Sequence, residues 1–166
     1  MKNKILFISL VLIILYLLVS YYKNKGPNFL ITLTSDLGEI RKNTKGEYEL
    51  VLEHVNNKNF LMFSDRPYRL VNHIKGDDLK NMWNNGYNSL QEDPPNAVII
   101  INEQLQTVTL TSINVDNDRI IYTLKPDPID SSISVSKGKT VLFVDSCCHD
   151  HSRNSPSWTS YLPIER

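Results

Sequence analysis

The chain has 166 residues, 41% of them hydrophobic, and its 18 basic and 18 acidic residues cancel. Once an apolar N-terminal stretch is set aside, that length supports one compact core and excludes two. Without Lys2 and Lys4 the remainder carries 16 basic against 18 acidic residues, which excludes the clustered positive field that phosphate neutralisation needs and leaves no nucleic acid among the expected partners.

After a short tail, residues 1–4, the segment 5–22 holds no charge and is rich in Leu, Ile and Val. Its 18 residues make about 27 Å of helix, near the thickness of a bilayer core. Tyr21 and Tyr22 stand at its far boundary, where amphipathic rings prefer to sit. A cleaved signal peptide has a shorter apolar region and a small-x-small site, and Ser20-Tyr21-Tyr22 supplies none. The expectation is a transmembrane signal-anchor helix with the lipid bilayer as its partner, and so a single-pass membrane protein. Lys2 and Lys4 face Lys23 and Lys25 across it, so the positive-inside bias nearly cancels. The layout favours a lumenal, extracellular or exterior domain. Frequent Asn and Ile with a single Ala point to an AT-rich genome, viral or microbial, and no Asn lies in a glycosylation sequon.

Residues 23–28, with Gly26-Pro27, read as a linker. Phe29 to Thr34 alternates with period two, as a half-buried strand does. Glu47 to Val55 alternates likewise, and the turn residues Lys42 to Gly46 join it to the preceding run as a hairpin. Phe60-Leu61-Met62-Phe63 is continuously apolar, the pattern of a strand buried on both faces. Asp77 or Asp78 caps a helix that places Leu79, Met82 and Trp83 on one side and stops at Gly86. Ala97 to Ile101, Gln104 to Asn114, Arg119 to Lys125 and Lys139 to Asp145 complete the strands. The expected fold is mainly β, an antiparallel sandwich or open barrel over residues 29–146 with one short helix, preceded by the transmembrane helix and followed by a polar tail, 147–166.

The densest set of metal donors is Cys147, Cys148, His149, Asp150 and His151. Thiols and imidazoles suit zinc. Adjacent cysteines reach one tetrahedral ion with difficulty, so a vicinal disulfide, two unrelated thiols or an intermolecular bridge compete with a zinc site at Cys147, Cys148, His149 and His151. A second cluster is Asp65, Arg66 and Arg69 with His73 and Asp93, which an acid–base set would use. The simpler reading is a structural network in which Arg66 and Arg69 pair with Asp65 or Asp93. Asp116-Asn117-Asp118 reads as a turn, since a calcium loop's Gly and closing Glu are missing. No nucleophile elbow, phosphate loop or zinc-protease motif occurs.

Phe63-Ser64-Asp65-Arg66-Pro67, Arg69, a helix with Trp83, Asp93-Pro94-Pro95-Asn96-Ala97 and a late Leu142-Phe143-Val144-Asp145 strand together resemble a group of secreted bacterial and algal proteins with no assigned activity. The resemblance covers roughly Phe63 to Asp145 and implies export and a shared fold, with no reaction attached. The expected function is a membrane-anchored, non-enzymatic β-sandwich module that contacts a protein partner as a structural or interaction component of a membrane or virion. The alternative is a metal-binding protein or metal-dependent enzyme built on Cys147 to His151.

Overall fold

The structure, a computed structural model, describes residues 2–23, 29–55, 60–64, 69–84, 89–127 and 132–146. A helix α1, Lys2–Lys23, precedes eight strands: β1 Phe29–Lys42, β2 Tyr48–Glu53, β3 Phe60–Ser64, β4 Val71–Ile74, β5 Asn96–Ile101, β6 Gln104–Asp116, β7 Arg119–Pro126 and β8 Ser136–Ser146. A second helix, α2 Gly76–Asn84, separates β4 from β5.

All strand pairs are antiparallel, and the order β2-β7-β6-β5-β8-β1 closes on itself because β1 also pairs with β2. The result is a six-stranded closed barrel from which β3 and β4 continue as a side extension. This corrects the expected sandwich or open barrel. Alternation in each strand shows which side chains face inward, but it does not say which strands are neighbours, and closure depends on the neighbours.

Closure rests on β1. Its first half pairs with β3, from Phe29 opposite Ser64 to Thr32 opposite Leu61. Its second half pairs with β2, from Leu37 opposite Glu53 to Lys42 opposite Tyr48, while β8 runs along its other edge from Phe29 to Ile40. The register slips between Ser35 and Gly38, and such a bulge bends and twists a strand. Ser35 holds the bulge: its Oγ accepts the Leu37 amide at 3.2 Å and lies 2.7 Å from the Glu53 carbonyl and 2.9 Å from that of Leu37, one of which takes its proton.

Six strands enclose only enough room for side chains. Leu33, Ile40, Leu50, Leu52, Ile99, Val108, Leu110, Ile120, Leu124, Leu142 and Val144 fill it, all buried. One end is closed by α2, whose Leu79, Met82 and Trp83 are buried, as their spacing predicts. The helix begins at Gly76, two or three residues earlier than a cap at Asp77 or Asp78 implies. Asp78 instead reaches back to accept the Lys75 amide at 3.0 Å, the second half of a capping box. Gly86, its expected stop, lies outside the described residues. The other end is closed by residues 132–135, where Ile133 is buried and the Gln106 amide bridges both ways to Ser134, donating to its carbonyl at 3.1 Å and accepting its amide at 2.9 Å.

Short connections fit their turns. Asn102 and Glu103 both adopt left-handed φ, 48° and 69°, as a two-residue hairpin requires. Asn43 organises the β1–β2 loop, its Oδ1 accepting the amides of Lys45 and Glu47 at 2.9 and 3.0 Å. The turn at Asn117-Asp118 is formed as expected, with Asn117 at φ 50°. Phe60 to Phe63 departs from expectation: Phe60 and Met62 are fully buried, whereas Leu61 and Phe63 are only half-buried on the outer face.

The expected transmembrane signal-anchor over residues 5–22 is also corrected. Among the described residues no helix is long and apolar enough to cross a membrane. The single-pass placement that depended on that span is withdrawn with it.

Gly38 tests the closure. A Cβ there would collide with Thr140 Oγ1 and lie 2.7 Å from Thr140 Cβ and 3.0 Å from Leu52 Cδ2, and Thr140 is fully buried with its hydroxyl donating to the Gly138 carbonyl at 3.0 Å. Gly38→Ala is therefore expected to destabilise the barrel by ~1–3 kcal/mol, read as a lower urea midpoint. A midpoint equal to the parent's would show that closure does not depend on this contact.

Candidate functional site

Of the residues singled out from sequence, Cys147, Cys148, His149, Asp150 and His151 lie outside the described residues, as do Asp65 and Arg66. Among the described residues no group of three or more His, Cys, Asp or Glu side chains is placed to hold a metal ion. Arg69 is exposed in a left-handed conformation, φ 52°. It sits beside a clasp in which Ser64 and Leu70 exchange bonds: the Ser64 amide donates to the Leu70 carbonyl at 2.9 Å, and Ser64 Oγ accepts the Leu70 amide at 2.8 Å. His73 is exposed on β4, and Asp93 is exposed in the turn leading to β5. β4 and β5 are four strand positions apart in the sheet, and among the described residues no ion pair joins His73 to Asp93. Among the described residues the ion pairs are Arg41–Glu49, Arg119–Glu53 and Lys137–Glu39, and neither Arg69 nor Asp93 takes part. In each pair the basic side chain is exposed, which leaves each worth less than ~1 kcal/mol.

Two features were not anticipated. The first is inside the barrel. Tyr122 on β7 and Trp83 on α2 are both 1% exposed, with ring centroids 5.9 Å apart and planes tilted by 54°. The tilted approach is a favourable aromatic geometry. Neither the Tyr122 hydroxyl nor Trp83 Nε1 has a hydrogen-bond partner among the described residues. Desolvation by burial pushes the Tyr122 phenol well above its ordinary value of 10.0. The sequence placed Trp83 in the core through its helical spacing. Tyr122 follows the inward alternation Ile120, Tyr122, Leu124, but nothing in that pattern showed that its hydroxyl lacked a partner.

The second feature lies on the outer face, and register defines it, because directly opposed residues point to the same side of a sheet. One row across the strands reads Val71, Phe63, Leu30, Asp145, Asn96, Thr109. The next reads His73, Leu61, Thr32, Phe143, Val98, Thr107. A third reads Thr34, Val141, Ile100, Leu105. Their apolar members form a diagonal band from Val71 on β4 to Leu105 on β6. Its ends are open to solvent, 59% at Val71 and 62% at Leu105, and its middle is half-buried. The described helices leave it uncovered, since α2 packs against β6 where it closes the barrel and α1 is exposed along its described side chains.

Antiparallel strands that face water usually alternate apolar with polar residues. Here β3, β5 and β8 carry apolar residues on both faces. The signal was present in sequence as the runs Phe60 to Phe63, Ala97 to Ile101 and Val141 to Val144, but only the register lines them up into one band. Comparison with family models, characterised proteins and solved structures gives no match for this chain.

The buried pair yields a pH prediction. The unfolded tyrosine ionises near pH 10 while the folded one stays protonated, so above that pH the unfolded state binds fewer protons and stability falls by ~1.4 kcal/mol per pH unit. Tyr122→Phe removes both this loss and an unpartnered buried hydroxyl. It is expected to be more stable by ~1 kcal/mol at pH 7, with the advantage widening above pH 10 in paired urea titrations. A constant difference across that range would show that Tyr122 is not desolvated as described.

Proposed function

We propose that the protein is a non-enzymatic interaction module whose contact surface is the apolar band on the outside of the barrel. The band itself carries the reading. Nine apolar side chains on six adjacent strands share one outward face, and contiguous exposed apolar surface of this kind marks interaction sites on folded proteins. The closed barrel suits the role, because its strands have paired edges and hold an outer surface at fixed spacing. Phe143, at the middle of the band between Thr32 and Val98, is the natural anchor, since large aromatics at the centre of a contact contribute most of its strength.

A photo-crosslinking residue at position 143, compared with one at position 123 on β7 outside the band, tests the reading in extracts of cells expressing the full chain. The expected outcome is one discrete adduct from position 143 and none from 123. Phe143→Lys, with an unchanged thermal midpoint, is expected to weaken the association by ~10-fold or more. Equal, diffuse labelling from both positions would sink the proposal.

A further inference from the structure

We infer that the occupant of the band is helix α1 of a second copy of this chain, exchanged reciprocally to form a two-fold dimer. The inference rests on the reading of the band as an interaction surface and names its partner.

Among the described residues, the helix is a second uncovered apolar element. From Phe7 to Leu18 every residue except Ser9 is apolar or aromatic, and every one is exposed. Consecutive apolar residues point to all sides of a helix, so cover on more than one side stabilises it. α1 spans 22 residues, about 33 Å. The diagonal from Val71 to Leu105 crosses six strands and three rows, roughly 27 Å, and is about one helix wide. Length and width therefore match.

A helix laid on its own barrel would be covered on one side only, because each chain offers one band. Two chains offer two bands and two helices. In a two-fold arrangement each α1 lies on the partner's band and against the partner's α1, so sheet covers one side and helix another. Such an interface is isologous and closed, which limits assembly to two copies. The connection permits exchange: α1 ends at Lys23 and β1 begins at Phe29, and the five intervening residues reach up to ~18 Å when extended. β1 enters the sheet next to Leu30, which is itself a band residue.

The test uses the full chain in detergent-free buffer, as a mixture of isotope-labelled and unlabelled copies, with a photo-crosslinking residue at position 12. Sedimentation velocity is expected to give a dimer, and the crosslinked peptides to join position 12 of one copy to residues 98–100 or 141–143 of another, in mixed-isotope pairs. Leu12→Glu and Phe143→Lys are each expected to weaken the dimer by roughly 10-fold or more, because each buries an unpaired charge. A monomer with crosslinks inside one copy, an assembly without fixed stoichiometry, or transfer of α1 to phosphatidylcholine vesicles in place of dimerisation overturns the inference. If deleting residues 1–23 leaves association intact while Phe143→Lys abolishes it, the band has another occupant and only the dimer is wrong. If Phe143→Lys changes nothing and position 12 crosslinks elsewhere, the band reading itself fails.

Discussion

The fold depends on one bent strand. β1 is 14 residues long and carries three neighbours, with β8 on one edge and β3 then β2 on the other. A straight strand of that length would hold β2 and β3 in one flat sheet with a free edge. The bulge at Ser35–Gly38 turns the second half of β1 away from β3 and onto β2, whose far edge is already paired with β7, so the sheet closes. The physical requirement is local and severe. Ser35 must accept the Leu37 amide within the bulge, and the strand must pass so close to Thr140 that only a residue without a Cβ fits at position 38.

Closure fixes what each strand can do. A six-stranded barrel encloses little beyond its own side chains, and aliphatic residues pack between α2 at one end and residues 132–135 at the other. The cost is visible at Tyr122 and Trp83, where rings large enough to fill the α2 end bring along polar atoms that have no partner among the described residues. A full interior also means that apolar residues in excess of the core must face outward. β5 and β8 have more of them than one face can bury, and the remainder is the external band.

The band and the N-terminal helix raise the same physical problem. Each is apolar surface beyond what the described residues cover, and such surface is stabilised by removal from water.

The sequence alone determined the local elements: strands from alternation, α2 from the spacing of Leu79, Met82 and Trp83, and the turns at Asn43 to Gly46 and Asn117-Asp118 from their residue types. These follow from backbone periodicity and turn chemistry, which act over a few residues. It also contained the two-faced apolar runs, although Phe60 to Phe63 read there as a strand buried on both sides. Only the tertiary structure decided that the barrel closes and that Leu61, Phe143, Val98 and Ile100 lie on one external band. It also showed that Asp78 caps α2 from within, that Tyr122 is buried without a partner among the described residues, and that His73 and Asp93 sit on different elements. Each of these depends on which strands are neighbours and in what register, and register is set by contacts between residues distant in the chain, which no local pattern encodes.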